Sequence, residues 1–188
     1  HQLAANLVSV MFMMPLALSN ATATLVAQRV GASDWIDAKR LGWHCMTIAA
    51  VASTVLGLIV FATREPIARL YSNNDVVVAA ALPLLAWVVL FHFFDAMQTM
   101  AAFVLRAWRI ATAPMFIYAA SLIGVGLGGG WILVFTDAAQ TTPAWMQGAS
   151  GYWVASTAGL FCAALGLTAL LAFGLPKGHP PTRLQPSR

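Results

Sequence analysis

The sequence predicts an all-α integral membrane protein with five transmembrane helices, and three observations carry that reading. Of its 188 residues 60% are hydrophobic and 9% are charged, with a mean hydropathy of +0.78, far from the roughly 25% charged residues of soluble domains. The apolar residues gather into runs long enough to cross a hydrocarbon core, for which about 20 residues suffice. Every Lys, Arg, Asp and Glu except Asp95 lies between those runs, at their ends or in the tail.

The first run spans about residues 3–28 and carries Pro15 near its middle, followed by Ser19, Asn20, Thr22 and Thr24. A proline there kinks a helix and frees a carbonyl, and small polar side chains either re-satisfy that backbone or allow close helix packing. Asn20-Ala21-Thr22 spells a glycosylation sequon, but an acceptor in hydrocarbon is out of reach of modification. Gly31 is expected to end this helix and Ser33 to cap a short interfacial turn through Trp35 and Ile36 to Lys39 and Arg40.

The second span is expected over about 41–63, with Ser53 and Gly57 on one close-packing face. His44, near its start, reads as a wetted end residue. Arg64-Glu65-Pro66 breaks the pattern, and Asn73, Asn74 and Asp75 offer turn and N-cap chemistry before a third span over about 76–105. Pro83 should bend that span, whose excess length tilt can absorb. Pro114 is placed to start the fourth span, which runs to about Phe135. Within it Gly124, Gly126 and Gly129 match GxGxxG literally, yet no strand precedes them, so a dinucleotide site is rejected and the glycines read as a thinned or bent helix. A polar loop over 137–150 leads to a fifth span over about 151–173, where Ala155, Gly159 and Ala163 form a small-residue ridge. Residues 1–175 thus make up the membrane part, and the Pro-rich 176–188 reads as a disordered cytoplasmic tail.

The charge pattern sets topology and excludes other classes. The chain carries a formal +4, but its bases flank apolar runs with no basic face or recognition motif, so no nucleic-acid partner is implied. Counting bases on alternate sides gives Arg29, Lys39, Arg40, Arg106, Arg109, Lys177, Arg183 and Arg188 on one side, eight against two, Arg64 and Arg69, on the other. The first side is cytoplasmic by the positive-inside rule. Cys45 and Cys162 lie inside apolar segments without metal-ligand or CxxC spacing, so neither a disulfide framework nor a metal site is implied. No nucleophile, base and orienter occur together, which argues against an enzyme. An odd number of spans and a first residue already inside a helical pattern suggest a fragment whose preceding helices are missing.

Asp95 is the candidate site. It lies eleven residues before Arg106, which on a helix places it roughly 16 Å deeper, near the midplane of a core about 30 Å thick. A carboxylate there costs roughly 2.5–3.5 kcal/mol on insertion scales, so such residues face protein or water and commonly mark an ion, proton or substrate path. His92, Gln98 and Thr99, at i−3, i+3 and i+4, share its helical face. The plainer alternative is a packing carboxylate bonded to a neighbouring helix. His92 either joins Asp95 in a coupled titration or only packs.

In order, FMMPLALSNATATLVAQRVGASDWIDAKR, ARLYSNNDVV, FDAMQTMAAFVLRAW and GYWVASTAGL resemble the second half of the multidrug and toxic compound extrusion (MATE) family. The resemblance covers nearly the whole chain and corresponds to helices eight to twelve of a twelve-helix, two-lobe fold. It implies a carboxylate at Asp95 in the C-lobe cavity serving cation coupling or substrate binding, with His92, Gln98 and Thr99 as its neighbours. It implies a Na⁺- or H⁺-coupled antiporter exporting cationic, amphipathic compounds across a bacterial inner membrane. No cofactor is implied beyond the transported ion, and the partners are the bilayer, the absent N-lobe and the cargo. Two departures stand out: Ala107 replaces the glycine of the family's LRG, and IYAASLIGVG around Tyr118 lacks the usual Tyr-Trp and Pro. A lipid-linked oligosaccharide flippase of the same superfamily and a non-transporting remnant remain as alternatives. A flippase cavity for pyrophosphate head groups should be basic, whereas the only intramembrane charge here is acidic.

Overall fold

The computed structural model describes residues 2–135, 143 and 149–175, and all regular structure among them is helical. The helices are α1 (Gln2–Gly31), α2 (Trp35–Ala62), α3 (Arg64–Tyr71), α4 (Asp75–Ala107), α5 (Thr112–Tyr118), a π-helical stretch (Ala119–Gly128), α6 (Gly129–Phe135) and α7 (Ala149–Phe173). Five spans are long and apolar enough to cross a membrane: α1, α2, α4, the continuous run Thr112–Phe135, and α7. Positions 136–142 and 144–148 of the polar loop and the tail 176–188 lie outside the described residues, so the disordered tail stays an expectation.

The spans all begin before their expected starts, and capping chemistry explains the largest difference. Where Gly31 and Ser33 were expected to close α1 and cap an interfacial turn, Ser33 takes the left-handed conformation, with φ 61°, and Asp34 becomes the N-cap. The Asp34 carboxylate accepts from the Asp37 backbone N–H at 3.1 Å, satisfying one of the orphan donors of a helix start. The expected turn through Lys39 and Arg40 is therefore the first turns of α2. Arg29 reaches across from α1 to Asp37 at 3.1 Å.

The Arg64-Glu65-Pro66 break likewise forms a short helix, α3, because proline is tolerated in a first helical turn where its missing N–H has no partner to lose. Arg69 on α3 lies 3.1 Å from both Glu65 and Asp75. Bonding to Asp75 and Glu65 raises the pKa of its guanidinium further. Asn74 caps α4 by accepting from Val76 N–H at 3.0 Å.

Helix α4, 33 residues long, is the centre of the bundle and packs against α1, α2, α3 and α7. Small residues bring its neighbours close. A Cβ at Gly42 would lie 3.1 Å from Val104 Cγ1, and one at Gly57 3.0 Å from Val89 Cγ1, so the Ser53/Gly57 face does pack as its spacing predicts. The tightest approach is between the π-helical stretch and α7, where a Cβ at Gly159 would sit 2.8 Å from the Ser121 carbonyl oxygen and 2.9 Å from Gly126 Cα. Of the literal GxGxxG only Gly126 serves this backbone-to-backbone packing, and the helix bearing the motif widens to i→i+5 bonding.

Burial divides the core by depth. One apolar cluster joins Val26, Ala38, Met46, Met100, Leu105 and Leu167 toward the end bearing Arg29, Lys39 and Arg106. A second joins Met11, Val60, Val78, Leu85, Val88 and Trp153 toward the opposite end. Between the two clusters along every span lie buried polar residues: Ser19 and Thr22 on α1, Ser53 on α2, His92, Asp95, Gln98 and Thr99 on α4, Ser121 in the π-helical stretch and Thr157 on α7. All five spans contribute to this polar layer.

Candidate functional site in the polar layer

The layer is built on α4, whose helical repeat sets Asp95, Gln98 and Thr99 on one face. The Gln98 side-chain amide donates to Asp95 Oδ1 at 2.9 Å and to Thr99 Oγ1 at 3.0 Å. Three of the four residues singled out in the sequence are therefore joined by hydrogen bonds. Asp95 is 9% exposed and Gln98 8%, so the acid is shielded within the bundle. Tyr118, at the end of α5, donates its hydroxyl to the Gln98 carbonyl at 3.5 Å and ties the fourth span to the site.

His92 is placed differently. It is 1% exposed, and neither ring nitrogen has a hydrogen-bond partner, so it shares the layer with Asp95 without bonding to it. Gln98 Oε1 and Ser19 Oγ are likewise buried without a partner. Buried polar atoms are nearly always satisfied in folded proteins, and those left open call for a water, ion or ligand. The other hydroxyls of the layer satisfy themselves locally: Thr22 donates to Leu18 O at 2.8 Å, Ser53 to Ala50 O at 3.2 Å and Thr157 to Trp153 O at 2.7 Å. Of the residues with an unpartnered buried polar atom, Ser19, His92 and Gln98 belong to the polar layer that also holds Asp95, the one carboxylate buried among the described residues, and Trp108 lies in the apolar cluster toward the Arg29 end.

One helical turn from Asp95, Phe91 enters the wall of a cavity of about 570 Å³, lined also by Leu122, Leu127, Tyr152, Trp153 and Leu160. Its wall is almost wholly apolar, and within it Phe91 meets Trp153 edge-on at 5.3 Å. The polar layer and this chamber are adjacent along α4 but distinct, because Asp95 does not line the chamber.

Sequence reasoning passed over Tyr118, Ser121 and Thr157. Each is a single small or amphipathic polar residue within an apolar run, and only the shared depth of all five spans reveals them.

A bundle of five apolar spans with a carboxylate buried in a mid-depth polar layer is a multi-pass membrane protein. The MatE family model matches residues 1–132, and the chain belongs to that family. Among its relatives, it is 33% identical over 160 residues to the probable multidrug resistance protein NorM of Aromatoleum aromaticum, covering 83% of this chain and 33% of the relative. It is 32% identical over 165 residues to the multidrug resistance protein MdtK of Yersinia enterocolitica, covering 88% and 35% respectively. The chain thus spans about a third of the length of these relatives. The fold matches the crystal structure of the eukaryotic MATE transporter AtDTX14 with a TM-score of 0.81 and 22% identity, over 92% of this chain and 37% of that one. These relatives are named for resistance and transport, not for an enzymatic activity.

Proposed function

We propose that the chain is the C-terminal part of a cation-coupled multidrug exporter and that Asp95 is its coupling carboxylate. The observation that carries this reading is the polar layer: the one intramembrane acid among the described residues is buried and bonded to Gln98, whose side-chain oxygen has no partner, in a layer that also holds the unpartnered Ser19 hydroxyl. A hard cation such as Na⁺ takes oxygen ligands, and Asp95, Gln98 and Thr99 present a carboxylate, an amide carbonyl and a hydroxyl on one helical face. A proton would instead reside on the carboxylate itself, with Gln98 holding it in place.

Exchange follows from charge. With the carboxylate ionised, the site carries a negative charge at a depth where a charge is costly, and either a coupling cation or a cationic cargo relieves that cost. The two therefore compete, and competition for one site is the minimal logic of antiport. The apolar chamber beside Phe91 supplies room and stacking faces for the hydrophobic body of an amphipathic cation. An anionic pyrophosphate cargo has no counter-charge in the layer, which disfavours the flippase alternative. The names of NorM and MdtK as multidrug resistance proteins support the export reading. The end bearing Arg29, Lys39, Arg40, Arg106 and Arg109 is cytoplasmic in this reading, in a bacterial inner membrane.

The test is resistance. The full-length protein, expressed in an efflux-deficient host, should raise tolerance to cationic amphipathic compounds, and Asp95→Asn at equal membrane level should return it to the empty-vector value. A full-length protein that confers no such tolerance would sink the export reading.

A further inference from the structure

A second site lies at the other depth that a membrane makes special, the headgroup level. Between the end of α4 and the start of the fourth span is a crevice of about 250 Å³ lined by Ala102, Arg106, Ile110, Pro114, Met115 and Tyr118. Helix α5 packs on α7 and on the π-helical stretch, and the crevice lies between it and the end of α4. Arg106 is eleven residues from mid-depth Asp95, a rise of about 16 Å, and half of a core about 30 Å thick ends there. The guanidinium thus stands where lipid phosphates stand, and the apolar wall of Ala102, Met115 and Pro114 runs inward from it along the path of an acyl chain.

Part of the positive charge at this end is uncompensated. Asp34 is engaged as the cap of α2 and Asp37 is paired with Arg29. Among the described residues Arg40, Arg106 and Arg109 have no carboxylate partner. At the opposite end Arg69 is held by both Glu65 and Asp75. Arg106 lies with Cζ 4.8 Å from the Phe103 ring centroid, a cation–π contact that anchors its stem while leaving its donors free. Arginine offers a planar fork matched to phosphate.

We propose that the crevice at Arg106 is a binding site for the headgroup of an anionic phospholipid, with Arg106 as the phosphate-binding residue and Arg109 adding positive potential. The site is separate from the Asp95 layer and does not depend on the export reading. Basic pockets between transmembrane helices at the cytoplasmic face hold anionic headgroups for this electrostatic reason.

The test uses the full-length protein in nanodiscs of equal phosphatidylcholine and phosphatidylglycerol, with retained lipids counted by native mass spectrometry. Wild type should retain phosphatidylglycerol in excess, Arg106→Gln should lower that excess roughly five-fold, as expected for removing one interfacial base, and Arg106→Lys should keep most of it. Arg64→Gln, at the opposite end, should leave it unchanged, and added inorganic phosphate should not displace the lipid. Equal retention of both lipids by wild type overturns the proposal without any variant. Displacement by inorganic phosphate, or an equal loss in Arg64→Gln, overturns it as well.

Discussion

Gln98 holds Asp95 and Thr99 with a single amide group, 2.9 Å from the carboxylate and 3.0 Å from the hydroxyl, and leaves its own carbonyl oxygen buried without a partner. This one side chain fixes the rotamer of the acid and supplies the next oxygen beside it. Gln98→Leu keeps the volume and removes both functions. A hydrogen bond to a charged group contributes about 1.5–3 kcal/mol, so the variant should weaken apparent affinity for the coupling cation by roughly ten- to a hundred-fold at unchanged membrane level. Cation dependence of transport in proteoliposomes checks this, and an unshifted concentration dependence counts against Gln98 as a positioning residue.

The contact between Gly159 and the π-helical stretch leaves no room for a methyl group, since the nearest atoms are the Ser121 carbonyl oxygen and Gly126 Cα, both backbone. Gly159→Ala must push two spans apart and should cost about 1–3 kcal/mol. Gly124→Ala, whose added Cβ meets nothing within 4 Å, is the matched control and should leave stability unchanged. Thermal unfolding of the purified protein in detergent distinguishes them. Equal midpoints for the two variants would show that the helices separate there without penalty.

The topology derived from charge makes opposite predictions for two exposed turns, Ser33 at the Arg29 end and Asn73 at the other. In a background with Cys45 and Cys162 replaced, a cysteine at position 73 should react with an impermeant thiol reagent in intact cells, and one at position 33 should react only after permeabilisation. The reverse labelling would invert the assigned orientation.

What was legible in the sequence and what was not divides along a physical line. The five spans were legible because a bilayer demands long apolar runs, and the Asp95, Gln98 and Thr99 group was legible because helical periodicity alone brings i, i+3 and i+4 together. His92 shared that spacing, yet its ring nitrogens bond to none of these neighbours, a matter of rotamer that spacing does not fix. Ser121 and Thr157 belong to the polar layer through the relative depth of different spans, which is tertiary information. The cap at Asp34 went unread because Ser33 is also a good capping residue, and the choice between them rested on which one took the left-handed turn. The widened helix over Ala119–Gly128 had no distinct signature either, since glycine-rich runs suit a thinned α-helix equally well.

In the proposed mechanism Asp95 carries the ion whose gradient drives export. Purified full-length protein in liposomes, given an inward-directed Na⁺ or H⁺ gradient relative to the trapped fluorescent cation, measures this directly. Wild type should expel the cation at a rate set by the gradient, Asp95→Glu should retain part of that rate, and Asp95→Asn should lose the gradient-driven component entirely while inserting normally. Gradient-driven export by Asp95→Asn at the wild-type rate would contradict the account.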